Sequence, residues 1–166
     1  MWERTVTISG LSKTFSVTGW RLGYAISPRT LTEAMKRTHD FLTVGAPHPL
    51  QIAGASALRM GDPYFEALRE EYAARREVLY RALTAIGFAC ARPEGAYYIM
   101  ADIRPLTDKD DVAFSRFLIE EVGVAVVPGS SFYADPAQGR SFVRFAFPKK
   151  IETLREAVRR LEKVAP

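Results

Sequence analysis

Apolar residues recur along the chain at two different spacings, and these spacings predict alternating strands and helices. Short apolar runs bounded by Gly, Pro or Ser are typical of strands. The first two runs are expected to be buried strands because they are almost wholly apolar or small. The predicted strands cover residues 5–9, 22–26, 88–92, 97–103, 124–127 and about 141–147.

Longer segments carry apolar residues three or four positions apart, which is the helical period. Asp62 is a good N-cap with Pro63 at the first helical position, and Gly87 is expected to end that helix. Asp110 or Asp111 is expected to cap a later helix that Gly123 ends. The predicted helices cover residues 31–39, 50–60, 62–86, about 111–122 and 151–164.

The resulting order of elements predicts an α/β fold. The 166 residues correspond to about one domain, and 48% hydrophobic with 25% charged residues is typical of folded chains. The net charge of +4 is modest, and the basic residues are spread along predicted helices. This distribution favours solvated helix faces over a nucleic-acid surface. No apolar stretch approaches the length of a membrane span, so no membrane partner is expected.

Cysteine and histidine are scarce, which narrows the chemistry. A single cysteine, Cys90, excludes an intrachain disulfide and fits a reducing cytoplasm, where we expect the protein to be located. Its apolar surroundings indicate a packing role rather than a nucleophile. His39 and His48 are too few and too far apart in sequence to predict a metal site.

One run of residues carries most of the information about function. Residues 9–23 read SGLSKTFSVTGWRLG, with Lys13 in a turn of Ser, Gly and Thr and Arg21 eight positions later. A lone lysine in such a loop is usually a solvated surface residue. The whole run, however, resembles the cofactor-lysine motif of class I and II aminotransferases, which use pyridoxal 5′-phosphate (PLP).

That resemblance implies roles for both cations. Lys13 would form the Schiff base with PLP, and Arg21 would hold its phosphate through the planar fork of the guanidinium. Many relatives have a Ser three positions before the lysine, where this chain has Gly10. Either Ser9 or Ser12 is therefore expected to supply the hydroxyl contact to the cofactor.

A second arginine lies in the apolar segment SFVRFAF at residues 141–147. An arginine is costly to bury in such a strand without an anionic partner, although an edge strand could turn it to water. In aminotransferases the arginine of this strand binds the substrate α-carboxylate. By resemblance, Arg144 takes that role. Trp20, Tyr97, Tyr98 and Phe132 are candidates to shape the pocket, with ordinary packing at least as good an explanation.

The intervening segments resemble the same family in the same order. They are 46–51 (APHPLQ), 93–98 (PEGAYY) and 123–132 (GVAVVPGSSF). The resemblance thus covers essentially the whole chain. It also implies an N-terminal half that has no counterpart here, so the chain is expected to be the C-terminal portion of such an enzyme. Residues 1–50 would be a remnant of the large PLP-binding domain, and 51–166 a small α/β domain with its linking helix.

The resemblance implies transamination between an amino acid, small or aromatic, and a 2-oxo acid. Lys13 would act as general base and acid, and the full-length protein would be a homodimer. Two alternatives remain open. One is a PLP-dependent lyase or synthase of the same fold. The other is a non-catalytic, ligand-sensing domain like the aminotransferase-like half of some bacterial transcription regulators.

Overall fold

The computed structural model describes residues 1–165 and divides the chain into two units. The first unit is Met1–Leu68, and the second begins at Arg69. Both units contain helices and strands, so the prediction of a mixed α/β fold is confirmed. None of the described helices combines the length and the apolar composition that a membrane crossing requires.

The first unit contains one antiparallel strand pair and two complete helices. Strand β1 (Thr7–Gly10) pairs with β2 (Gly23–Ile26), and their register joins Gly10 to Gly23 at one end. Helix α1 spans Arg29–Thr43, and α2 spans His48–Ala57 with Pro49 in its first turn. Both helices differ by a few residues from the predicted 31–39 and 50–60.

The prediction that strands 5–9 and 22–26 are buried is wrong for this chain. All four residues of β1 are exposed, and Ile8 is 80% exposed. The two strands form a two-stranded sheet, so within the described residues no further strand pairs with it. An apolar strand is buried only where other layers cover its faces, and this sheet lacks such cover.

Two leucines close the segment between β1 and β2. Leu11 N–H donates to the Leu22 carbonyl oxygen at 3.1 Å, and both side chains are buried. Gly54 of α2 lies against them: a Cβ there would be 2.6 Å from Leu22 Cδ2 and 2.8 Å from Leu11 Cδ1. The absence of a side chain at Gly54 therefore lets α2 pack directly on the base of the 11–22 loop.

Helix α3 (Asp62–Ile86) begins at the predicted Asp62 and continues into the second unit. Gly87 follows it with φ of 112°, a conformation that glycine adopts without strain. The sheet of the second unit has the order β3-β4-β6-β5, with every neighbouring pair antiparallel. Its strands are β3 (Ala89–Cys90), β4 (Tyr98–Asp102), β5 (Val127–Pro128) and β6 (Phe142–Ala146).

The second unit has one hydrophobic core on one face of this sheet. Val143 and Phe145 of β6 are buried, whereas the alternate residue Arg144 belongs to the opposite face. Helices α4 (Asp111–Phe117) and α5 (Ile151–Leu161) contribute Phe114, Leu154 and Leu161 to the core. Helix α3 also contributes Leu79, Leu83 and Ile86 to the core.

Two predicted elements are shorter than expected. The strand at 124–127 is reduced to Val127–Pro128, because the Val124 N–H donates to the Leu118 carbonyl oxygen at 2.8 Å. Helix α4 gives way to a π-helical turn (Leu118–Val122), which Gly123 ends with φ of 75°. Of the two candidate caps, Asp110 is the N-cap and accepts a hydrogen bond from Ala113 N–H at 2.8 Å.

Cys90 lies in β3 and is half-buried. Burial raises the pKa of its thiol, although the Thr84 hydroxyl nearby acts in the opposite direction. A raised pKa keeps the side chain as the neutral thiol at pH 7, which fits a packing role.

Two short 3₁₀ turns, Gly129–Phe132 and Pro136–Gly139, meet at a backbone contact between their glycines. A Cβ on Gly139 would lie 2.4 Å from Gly129 C and 2.4 Å from Ser130 N, and a Cβ on Gly129 would lie 2.5 Å from Gly139 O. No side chain fits between these backbones, so the two turns can be this close only with glycine at both positions.

We therefore expect Gly139→Ala to destabilise the chain by about 1–3 kcal/mol, the range for inserting an atom into a packed site. Gly95→Ala is the matched control, since a Cβ there would meet nothing within 4 Å. Urea unfolding of both variants measures the difference. Equal free energies of unfolding for the two variants would contradict the glycine contact.

Candidate functional site

Lys13 lies in a tight turn directly after β1. The Phe15 N–H donates to the Leu11 carbonyl oxygen at 3.1 Å, and Ser16 follows in the left-handed region with φ of 55°. Ser12 is half-buried, and the Lys13 side chain is exposed. The turn therefore presents the lysine at the end of the β1–β2 pair.

Arg21 leaves the same end of that pair. Its φ of 52° is in the left-handed region, which costs a residue with a Cβ about 1–2 kcal/mol. The guanidinium donates to the Thr18 carbonyl oxygen at 3.1 Å, and the Thr18 hydroxyl donates to the Ser12 carbonyl oxygen at 3.1 Å. A strained arginine beside a lysine turn is the kind of backbone feature that functional sites retain.

The predicted serines lie at different places in this loop. Ser12 is the residue next to Lys13 and is linked through its carbonyl to Thr18. Ser9 belongs to β1 and is paired with Tyr24 in the ladder. Two hydrogen bonds thus link Arg21 through Thr18 to Ser12, the residue before Lys13, and Ser9 lies one strand position before Gly10.

The first turn of α3 holds the lysine turn from the other side. The Tyr64 hydroxyl donates to the Thr14 carbonyl oxygen at 2.6 Å. Its ring stacks on Phe15 with centroids 5.5 Å apart, and Phe65 meets both rings edge-on. The two residues after Lys13 are therefore held by one hydrogen bond and two aromatic contacts. An apolar cavity of about 280 Å³ adjoins them, lined in part by Leu11, Phe15, Trp20 and Tyr64.

Arg144 belongs to the second unit, in the middle of β6. Its guanidinium carbon lies 4.3 Å from the Phe132 ring centroid and 5.1 Å from that of Tyr98. The buried Arg144 Nε has no hydrogen-bond partner, and within residues 1–165 no carboxylate forms an ion pair with this side chain. A buried N–H donor without an acceptor is costly, and an anionic ligand is one way to satisfy it.

Comparison with known proteins assigns the family. The sequence model described as "Aminotransferase class I and II" matches residues 2–161. The chain belongs to this family. The resemblance carried by the Lys13 and Arg144 segments is thereby confirmed at the level of the family.

Individual relatives in the class I and II aminotransferase family are similar over nearly the whole chain. The probable N-succinyldiaminopimelate aminotransferase DapC of Mycobacterium tuberculosis is 41% identical over 99% of this chain, and Escherichia coli methionine aminotransferase is 35% identical over 98%. The solved structure of N-succinyldiaminopimelate aminotransferase from M. tuberculosis superposes with a TM-score of 0.90 at 42% identity and covers 99% of this chain.

The chain matches a much smaller share of each relative's own length. The chain corresponds to 44% of the DapC relative, 42% of the methionine aminotransferase and 43% of the solved structure. The chain therefore spans less than half the length of the relatives that it matches. Residues of those relatives that lie outside the matched portion have no counterpart among the 166 residues, and no role is assigned to them.

Sequence reasoning missed two residues with long-range hydrogen bonds, one in each unit. Tyr64 was predicted only as part of the start of a helix, and its hydrogen bond to Thr14 spans fifty residues of chain. Asp111 was a candidate helix cap but is buried and accepts a hydrogen bond from Ser130 N–H at 2.7 Å. The only available signal was a second aspartate beside a good N-cap, which does not by itself predict a distant partner.

Tyr64→Phe should weaken the lysine turn while leaving the aromatic stack in place. We expect a loss of about 1 kcal/mol in the free energy of unfolding, because the Thr14 carbonyl oxygen loses its donor. Amide hydrogen exchange at residues 14–16 should rise in the variant more than exchange in the second unit. Tyr24→Phe is the control, and an equal effect of both substitutions would contradict the assigned role of the hydroxyl.

Proposed function

We propose that the protein is a PLP-dependent aminotransferase and that this chain supplies its cofactor lysine, a phosphate-binding arginine and a substrate-binding arginine. The observation that carries the proposal is the 11–22 loop, in which Lys13 and Arg21 leave the same end of one strand pair. Family membership supports the same assignment.

The donors around this loop fit a phosphate group. Arg21 is exposed. Among the described residues, its planar guanidinium donates a side-chain hydrogen bond only to the Thr18 carbonyl oxygen. Ser12 offers a hydroxyl, with Ser9 as the second candidate. Fork-shaped, charge-assisted donors and hydroxyls are the groups with which proteins bind phosphate. Lys13 supplies the amine for covalent attachment of the cofactor.

Arg144 fits the α-carboxylate of the amino acid. A carboxylate would satisfy the buried Nε and neutralise a guanidinium that has no ionic partner within residues 1–165. Arginine and carboxylate are geometrically matched for two parallel hydrogen bonds, so the contact orients the substrate as well as binding it. Orientation of the amino acid decides which bond to its Cα is broken.

The reaction is the transfer of an amino group to a 2-oxo acid. PLP supplies an electron sink for the negative charge that develops at the substrate Cα. The Lys13 Nζ takes the proton from Cα and later returns a proton, acting as general base and then general acid. Arg144 holds the carboxylate through both steps, and Arg21 holds the phosphate.

The substrates are proposed only as a class. The relatives are named for N-succinyldiaminopimelate, methionine, aspartate and aromatic amino acids, so family membership does not select one amino acid. We keep a small or aromatic amino acid and a 2-oxo acid as the pair. Because the similar proteins are named aminotransferases, the lyase or synthase and the ligand-sensing alternatives are not favoured.

Organisation of the whole protein is likewise a proposal. Residues 1–50 would belong to the large PLP-binding domain, and 51–166 to the small domain with its linking helix. The coverage of 44% of a relative supports a longer protein that completes the large domain. We further propose a cytoplasmic homodimer.

The proposal is tested on a full-length protein that contains this chain. Amino-group transfer from a panel of amino acids to 2-oxoglutarate is followed by mass spectrometry of both products. Lys13→Ala should lower kcat by about 10²–10⁴-fold, as expected for loss of a general base. Arg144→Lys should raise KM for the amino acid by about 10–100-fold through loss of charge-assisted hydrogen bonds.

Lys36→Ala and Arg155→Lys are the matched controls, since both side chains are exposed on helices. Both should leave kcat and KM unchanged. Turnover by Lys13→Ala at the wild-type rate would refute the lysine assignment. Release of ammonia without a new amino acid product would favour the lyase reading instead.

A further inference from the structure

We propose that Asp111 is a positioning residue for Arg144. Its buried carboxylate holds the turn Gly129–Phe132, and the Phe132 ring of that turn covers one face of the Arg144 guanidinium. The inference rests on the carboxylate-binding role of Arg144 proposed above. It adds a residue that touches neither the cofactor nor the substrate.

Asp111 is 1% exposed and forms two hydrogen bonds at the start of α4. Its carboxylate accepts from Ser130 N–H at 2.7 Å, and its own N–H donates to the Arg140 carbonyl oxygen at 2.9 Å. Within residues 1–165 it forms no ion pair. A buried carboxylate is costly unless it is hydrogen-bonded, so the bond to Ser130 N–H is a strong constraint.

The helix does not require this carboxylate as a cap. Asp110 already is the N-cap and accepts from Ala113 N–H. Asp111 is therefore directed to a segment nineteen residues away rather than to its own helix. A role in holding that segment accounts for a charge at a buried position where an apolar residue would be easier to pack.

The turn that Asp111 holds has little freedom to move. Gly129 and Gly139 are in backbone contact, and Asp111 bonds to a residue next to each glycine, namely Ser130 and Arg140. The two turns and the start of α4 thus form one cross-linked corner. Phe132 is the last residue of the first turn, so its position follows from this corner.

Phe132 in turn restrains Arg144. Its ring centroid is 4.3 Å from the guanidinium carbon, and the Tyr98 ring lies 5.1 Å away on the neighbouring strand β4. An arginine side chain loses rotamer entropy when it is ordered. Rings that order the guanidinium before the substrate arrives remove part of that cost from binding, which is preorganisation.

The test observes Arg144 directly in this 166-residue chain by NMR of its Nε–Hε group. Arg144→Lys identifies the resonance by its absence. In the wild-type chain the neighbouring rings should displace the Hε resonance from its value in an unstructured peptide. Asp111→Asn should move it back toward that value, and Phe132→Leu should do so as well without touching Asp111.

Asp108→Asn is the matched control, because Asp108 is an exposed aspartate three residues earlier and the charge change is the same. It should leave the Arg144 resonance unchanged. A purely structural role of Asp111 predicts a lower Tm for Asp111→Asn with the Arg144 resonance as in Asp108→Asn. That result would overturn the proposal. Should Asp111→Asn fail to fold, Phe132→Leu carries the test of the ring contact, and an unmoved resonance there would overturn it equally.

Titration with pyruvate, a small 2-oxo acid, tests the carboxylate role of Arg144 separately from the positioning role of Asp111. Pyruvate should shift the Arg144 Nε–Hε resonance, with Kd raised about threefold to tenfold in Asp111→Asn, as expected for loosening a cation–π contact of about 1 kcal/mol. A wild-type resonance that pyruvate never shifts would refute the carboxylate role of Arg144. The comparison of the ligand-free variants would still decide whether Asp111 positions it.

Discussion

The contact of Leu11 and Leu22 with Gly54 is the constraint on which the lysine loop depends. These two leucines are the buried hydrophobic residues of the first unit, and their backbone hydrogen bond continues the β1–β2 ladder by one step. Apart from Val17, the residues between them are polar, small or aromatic, and the segment could adopt many conformations if its ends were free. Because the ends are joined and packed on α2, the short segment between them can keep three defined backbone conformations. These are the turn at Lys13, a 3₁₀ turn and the left-handed conformation of Arg21. The rigid base allows the strained residues above it to persist.

In the second unit the main constraint is different, because a cation, Arg144, lies in an otherwise apolar strand and must stay able to bind an anion. Strand alternation sends Val143 and Phe145 into the core and leaves Arg144 on the other face, where aromatic rings rather than carboxylates surround it. Rings stabilise the guanidinium without neutralising it, so it remains able to bind an anion. The buried Asp111 contributes at a distance, through the backbone of a glycine-lined corner. The carboxylate of Asp111, which is more deeply buried than that of Asp102, is thus used on a backbone N–H, and Arg144 has no carboxylate partner within the described residues.

The sequence predicted the α/β class, the order of elements and the start of α3, because caps, glycines and apolar spacing are local signals. The family followed from the resemblance of its motifs. It predicted burial of the first two strands incorrectly, since burial depends on layers that a local pattern does not contain. The strand at 124–127 was too long because a hydrogen bond from Val124 to Leu118 competes with the sheet. Tyr64 and Asp111 were missed because their partners are fifty and nineteen residues away. Local motifs therefore indicate the candidate functional residues, and contacts between distant residues show which side chains hold those residues in place.

The most direct test of the central claim is reductive trapping of PLP on the full-length protein, followed by peptide mapping. Borohydride fixes PLP covalently to the amine that carries it, so each lysine is scored by its mass increment. We expect one dominant label on Lys13 at a stoichiometry near one PLP per chain, with the exposed Lys36 and Lys149 unlabelled. Labels spread evenly over surface lysines, or a dominant label elsewhere, would contradict the assignment of Lys13 as the cofactor lysine.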